Sequence, residues 1–65
     1  MTLQEIIETV SNSTILLEDV PAAMERLLNE IAACEMVVQD DETQFHIRQE
    51  YQKNLRWYTK LLHRL

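Results

Sequence analysis

The chain has 65 residues, 46% of them hydrophobic, with no glycine, one proline and a formal net charge of −5. This length suits one small helical domain, 1–65, and the scarcity of glycine and proline argues against a turn-rich β architecture. The composition therefore predicts an all-α protein, and the acidic balance disfavours nonspecific binding to nucleic acid.

The N-terminal segment has no basic stretch followed by an apolar run, and no segment approaches the roughly 20 apolar residues needed to span a bilayer. Cys34 is the single cysteine, so no disulfide can form within the chain. These features predict a cytoplasmic protein with a reduced thiol and no membrane insertion.

The first predicted helix covers approximately residues 2–12. Thr2 and Glu5 have the spacing of a capping box, which satisfies free N–H groups at the start of a helix. Its apolar residues fall on one face: Leu3, Ile6, Ile7 and Val10. Polar side chains at 11–13 compete for backbone hydrogen bonds, so we expect the helix to end there.

The second predicted helix covers approximately residues 19–39. Pro21 is tolerated in a first turn, where its missing N–H has no partner, and this makes Asp19 the expected N-cap. Apolar residues then step alternately by four and three positions: Val20, Met24, Leu27, Ile31, Cys34 and Val38. This alternation predicts an apolar seam that faces another helix.

The third predicted helix covers approximately residues 42–64, after a chain reversal at 39–43. Asp41 and Gln44 repeat the capping-box spacing. A second apolar seam follows along this helix: Ile47, Tyr51, Leu55, Tyr58, Leu62 and Leu65. Two seams of matching length predict an antiparallel helical hairpin preceded by a short N-terminal helix.

Charge is unevenly distributed along the chain. Residues 1–42 carry ten acidic side chains and one basic one, whereas 43–65 carry five basic side chains and one acidic one. We expect the acidic second helix to flank the basic third helix in ion pairs that favour antiparallel pairing, although each exposed pair contributes only about 0–1 kcal/mol.

Several residues lie outside the two seams. At about 100° per residue, Trp57 falls roughly 120° from the centre of the third-helix seam, with Leu61 between. A two-helix hairpin leaves this apolar surface open, and the first helix, a second copy of the chain or a foreign helical partner are the alternatives that would cover it. The predicted partner-binding residues are Trp57, Leu61, Arg56, Lys60, Arg64, Met36 and Val37.

Residues with catalytic or metal-binding chemistry are few: Cys34, Asp40, Asp41, Glu42 and His46. Helix capping already explains the acids, and a small apolar residue at Cys34 suits the seam better than a Cys–His nucleophilic pair. Without glycine there is no phosphate-binding loop. We predict no enzyme activity, no metal and no cofactor.

Nucleic-acid binding is the remaining class suggested by the basic third helix, which carries Arg48, Lys53, Arg56, Lys60 and Arg64 with Trp57 among them. The acids of the preceding helices lie beside it and cancel the field beyond a Debye length of about 8–10 Å. A solvated, salt-bridged helix face is therefore expected.

The opening "MTLQE", the second-helix seam and the segment "DETQFHIRQEYQKNL" resemble the small co-chaperones of type III secretion needle proteins in Gram-negative bacteria. In the last segment, Asp41, Gln44 and Phe45 match an acid, a glutamine and an aromatic residue at the start of the family's final helix. Asp40 and Asp41 stand where some relatives place glycine.

This resemblance implies a helical-hairpin protein of a virulence apparatus that joins a larger helical-repeat chaperone. Together the two hold the needle subunit in the cytoplasm until export. It implies a stabilising role toward the chaperone, with the needle subunit engaged through that partner. Our hypothesis for Trp57 and Leu61 is that they dock against the repeat partner, with Arg56, Lys60 or Arg64 at the rim. The alternative is a self-associating bundle, a homo-oligomer with a regulatory or structural role.

Overall fold

The computed structural model describes residues 1–65 and confirms the all-α prediction. Helix α1 covers Leu3–Ser11, a 3-10 turn covers Leu17–Asp19, α2 covers Val20–Gln39 and α3 covers Phe45–His63. The two long helices pack against each other as an antiparallel hairpin, and the molecule measures 40 × 18 × 17 Å along its principal axes.

Helix α1 begins and ends through local hydrogen bonds. The Glu5 N–H donates to Thr2 Oγ1 at 3.2 Å, which confirms the predicted cap. At the other end, Ser13 takes a left-handed conformation with φ 57°, and the N–H groups of Ser13 and Thr14 donate to the Val10 and Thr9 carbonyls. This is a Schellman arrangement with serine where glycine is usual, and it stops the helix in the predicted segment.

Helix α2 starts directly after the 3-10 turn, and Pro21 lies in its first turn as predicted. Asp19 occupies the N-cap position, but its side chain makes no capping hydrogen bond. The fixed φ of proline and the preceding turn therefore set the start of this helix.

The predicted capping box at the start of α3 is wrong. Helix α3 begins at Phe45, and Gln44 is an N-cap without a side-chain hydrogen bond. Asp40 organises the reversal instead, because its carboxylate accepts hydrogen bonds from the Glu42 N–H at 3.0 Å and from the Thr43 hydroxyl at 3.1 Å. An aspartate that binds the chain two and three residues ahead makes a tight turn without glycine.

Six residues are buried, and all are apolar. Five of them form one cluster where all three helices meet, which we call the three-helix end: Ile6, Val10, Ala23, Leu27 and Leu61. Cys34 is buried outside this cluster. The core therefore lies mainly at the end of the hairpin that α1 covers.

The predicted seams are confirmed only in part. Leu27 and Cys34 are buried, and the half-buried members are Val20, Ile31, Val38, Leu55, Tyr58, Leu62 and Leu65. Met24, Ile47 and Tyr51 are instead exposed, by 42%, 38% and 38%.

The half-buried residues of α3 explain this difference. They include Arg48, Gln52, Leu55, Thr59 and Leu62, which step by four and three positions. Arg48 and Gln52 line a cleft with Val38 of α2, so part of the interhelical face is built from polar side chains. Long polar side chains cover a neighbouring helix with their methylene groups. Near the reversal, the packed face of α3 is therefore shifted by one position, from Ile47 and Tyr51 to Arg48 and Gln52.

Candidate partner-binding surface

Helix α1 is too short to cover the hairpin. Its nine residues extend about 14 Å, whereas the 19 residues of α3 extend about 29 Å. The other half, which we call the two-helix end, contains the chain reversal and the residues Val38, Phe45, Ile47 and Tyr51. Only α2 and α3 meet there, so one side of each helix is left to solvent.

One apolar stripe of α3 runs through both ends. Ile47, Tyr51 and Tyr58 lie on the same helix face because they are four and seven positions apart. Tyr58 is half-buried and packs against the cluster of the three-helix end, while Ile47 and Tyr51 remain exposed. The stripe is therefore covered at one end and open at the other.

The structure separates two residues that the sequence placed together. Leu61, predicted to bind a partner, is only 1% exposed and packs in the cluster with Ile6 and Val10 of α1. This prediction is wrong because α1 itself covers Leu61. Trp57 lies outside the cluster and is 46% exposed, so the first helix does not provide its cover.

The basic residues beside Trp57 are not neutralised within the chain. Arg56, Lys60 and Arg64 are exposed, and none of them forms an ion pair. Ion pairs join Arg26 to Glu30 at 3.1 Å and Lys53 to Glu50 at 3.8 Å, each within one helix. The expected ion pairs between α2 and α3 are absent, and the basic side chains point to solvent.

The predicted residues of α2 are divided between solvent and the hairpin. Met36 is 76% exposed, whereas Val37 is half-buried. Sequence reasoning missed Leu28, which is 49% exposed one turn from Met24. Ala23, the small residue next to Met24, is fully buried. This small apolar neighbour is the sequence signal that the buried face of α2 passes through Ala23 and not through Met24.

The reversal end of the hairpin holds a shallow cleft of about 200 Å³, lined by Val38, Phe45, Arg48, Gln49 and Gln52. Phe45 is 66% exposed, and its ring centre lies 5.9 Å from the guanidinium carbon of Arg48. The buried Nε of Arg48 has no hydrogen-bond partner. Phe45 extends the open apolar surface toward the reversal.

The thiol environment is that of a core residue. Burial raises the pKa of Cys34, and the negative charge of Glu30 raises it further. Tyr58 lies in the same environment, where burial and then Glu30 raise its pKa while Arg26 opposes them. Both groups are therefore neutral at neutral pH, and Cys34 lacks the lowered pKa that makes a cysteine nucleophilic.

Nowhere does the structure bring three His, Cys, Asp or Glu side chains together in a set that could hold a metal ion. None of the helices combines the length and the apolarity needed to cross a bilayer. Comparison with protein-family models, curated proteins and solved structures finds no match to this chain. The candidate site is the exposed surface of the hairpin, where Ile47, Tyr51 and Trp57 are open to solvent.

Proposed function

We propose that this chain is a non-catalytic co-chaperone, which stabilises a helical-repeat chaperone that holds the type III secretion needle subunit in the cytoplasm before export. The observation that carries this proposal is the exposed apolar surface of α3, which consists of Ile47 and Tyr51 at the open end of the stripe and of Trp57 beside it. The resemblance of "MTLQE" and "DETQFHIRQEYQKNL" to the needle co-chaperones names the partner.

The size of the core supports a role that needs a partner. A single core in a chain below about 70–80 residues rarely supplies more than about 3–5 kcal/mol without a disulfide, a metal or association. Here six residues are buried and the single cysteine is free. A partner that binds only the folded chain adds stability by mass action, and the open stripe gives it an apolar surface to cover.

Helical-repeat proteins present grooves between packed helices, and such grooves accept the apolar face of a partner helix. Helix α3 offers large exposed side chains for that mode: Ile47 and Tyr51 lie on the open stripe, and Trp57 lies on the neighbouring face, about 120° from Tyr51. Aromatic anchors commonly dominate such interfaces. Trp57 and Tyr51 are therefore the proposed anchors, and buried Leu61 is excluded from this role.

The first test is a tagged pull-down from the native cytoplasm, washed at moderate salt, with the retained proteins identified by mass spectrometry. We expect a helical-repeat chaperone together with a small needle subunit. Recovery of the bait alone, with a concentration-dependent dimer in light scattering, would favour the self-associating bundle instead.

The second test compares Trp57→Ala with Leu17→Ala, whose side chain is 88% exposed in the 3-10 turn, outside α3. Loss of an aromatic anchor typically costs about 2 kcal/mol or more, which is roughly a 30-fold loss of affinity for the chaperone. We expect that loss for Trp57→Ala and little change for Leu17→Ala. Unchanged affinity with a lowered thermal midpoint would assign Trp57 to internal packing.

A further inference from the structure

The outer face of α3 carries a row of basic side chains on both sides of one aromatic ring. Lys53, Trp57, Lys60 and Arg64 step by four, three and four positions, and Arg56 lies directly beside Trp57. All five side chains are exposed. At about 1.5 Å per residue the row extends roughly 16 Å, which is three turns of a helix.

Nothing within the chain compensates most of this charge. Arg56, Lys60 and Arg64 form no ion pair and no side-chain hydrogen bond, and Lys53 reaches Glu50 only at 3.8 Å between largely exposed groups. The helix dipole explains basic residues in the last turn, such as Lys60 and Arg64, but its effect does not extend to Arg56 or Lys53. The helix dipole therefore accounts for only part of the row.

We infer that this row, Lys53, Arg56, Trp57, Lys60 and Arg64, docks on an acidic helical surface of the chaperone, which receives Trp57 between carboxylates. This inference rests on the proposed function and names the chemistry of the partner's site. Complementary charge is the basis: three unpaired cations follow one face of α3 at helical spacing, and a facing helix with acids three and four positions apart matches that spacing.

A nucleic acid is the less favoured occupant. The chain carries a net charge of −5, and ten of its eleven acids precede α3. These acids repel a long polyanion that extends past the row, whereas a protein helix of about three turns is confined to it. A single aromatic ring also offers only one stacking platform for bases.

The two components of the row have separable kinetic signatures. Charges at the rim of an interface mainly accelerate encounter, and their effect falls with ionic strength. A buried aromatic anchor mainly slows dissociation. We therefore expect the basic residues to set the association rate and its salt dependence, and Trp57 to set the lifetime of the complex.

The experiment measures the association rate of the chain with the purified helical-repeat chaperone bound to the needle subunit. The rate is measured at ionic strengths of about 0.01 M and 0.15 M, where the Debye length is roughly 30 Å and 8 Å. Three forms are compared: wild type, the triple variant Arg56→Gln, Lys60→Gln, Arg64→Gln, and the control Arg26→Gln. Arg26 is an exposed cation on α2, already paired with Glu30. Circular dichroism verifies that each variant retains its helices.

We expect the wild-type association rate to fall about tenfold between the two ionic strengths, and the triple variant to associate about tenfold more slowly at the lower one with little salt dependence. Arg26→Gln should follow the wild type within about twofold. Equal rates for wild type and triple variant, or a wild-type rate insensitive to salt, would overturn the acidic docking surface while leaving the co-chaperone function intact.

Two further outcomes are decisive. Absence of any complex with the chaperone rejects the proposed function, and the inference with it. Salt-dependent binding of a random-sequence single-stranded oligonucleotide by the wild type, lost in the triple variant, would assign the row to nucleic acid and overturn the protein partner. No binding of that oligonucleotide, with salt-dependent association to the chaperone, supports the inference.

Discussion

The two ends of the hairpin are built from the same pair of helices but differ in how much they bury. At the three-helix end, α1 adds Ile6 and Val10, and five residues become fully buried. At the two-helix end only Cys34 of α2 is buried nearby, while Phe45, Ile47 and Tyr51 of α3 remain exposed. The difference comes from nine residues of additional helix.

Two packed helices enclose little volume, because each turns most of its circumference to solvent. A third helix laid over the groove removes the inward faces of all three from water, and each fully buried aliphatic side chain then contributes about 1.5–3 kcal/mol. The three-helix end is thus expected to hold most of the stability of the free chain. The two-helix end keeps the apolar surface that a partner can use.

The largest expected effect separates two neighbouring leucines of α2. Leu27 is fully buried in the three-helix end, and Leu28 is 49% exposed. Leu27→Ala should lower the free energy of unfolding by about 2–5 kcal/mol, enough to unfold much of a chain this small. Leu28→Ala should change it by about 0.5 kcal/mol or less. Urea denaturation followed by circular dichroism measures both, and similar losses for the two variants would erase the distinction between the faces.

A smaller effect is expected from loosening α1 at its start. Thr2→Ala removes the oxygen that accepts the Glu5 N–H, and loss of such a cap costs about 1 kcal/mol. Because α1 covers the three-helix end, the variant should expose Leu61 and lower the thermal midpoint. Thr2→Ser retains the accepting oxygen and serves as the control. A Thr2→Ala midpoint equal to that of Thr2→Ser would mean that the cap contributes nothing.

Features fixed by local sequence were predictable. The Thr2 cap, the end of α1 near Ser11 and Pro21 in the first turn of α2 depend on side chains that bind or restrict their own backbone. The long apolar periodicity of α2 and α3 likewise indicated a hairpin. Each of these signals acts within a few residues of the feature it predicts.

Features fixed by tertiary placement were not predictable in the same way. The sequence predicts a partner contact for Leu61 because nothing local indicates that α1 folds over it. The sequence places Ile47 and Tyr51 in the seam because apolar periodicity does not show that Arg48 and Gln52 occupy the interhelical face. The angle of Trp57 on the helix, by contrast, places it off the seam and leaves its cover open, and the structure leaves it 46% exposed.

The reversal provides a test at the two-helix end that matches the one at Thr2. Asp40→Ala removes the acceptor of two hydrogen bonds, from the Glu42 N–H and the Thr43 hydroxyl, and should cost about 0.5–1 kcal/mol because these groups are exposed to water. Asp41→Ala is the matched control, since the Asp41 side chain makes no hydrogen bond or ion pair. Equal stability of the two variants would contradict the role given to Asp40.

The smallest expected effect is a pH dependence that reports on burial outside the main cluster. Burial, and then the charge of Glu30, raise the pKa of Cys34 in the folded chain, so the folded state retains a proton that the unfolded state releases above the ordinary thiol pKa of about 8.5. Stability from this group is complete below that pH and is lost as pH rises toward the folded-state pKa.

The Cys34 measurement is the free energy of unfolding between about pH 7 and 9.5, kept below the ordinary tyrosine pKa of about 10 because the pKa of Tyr58 is also raised. Wild type should lose stability across this range, and Cys34→Ala should not. The charged neighbours Glu30 and Arg26 form an ion pair and are present in both proteins, so they do not produce a difference between the two curves. Parallel curves for the two proteins would show that water already reaches the Cys34 thiol. The two-helix end would then be open to solvent even at its one buried side chain.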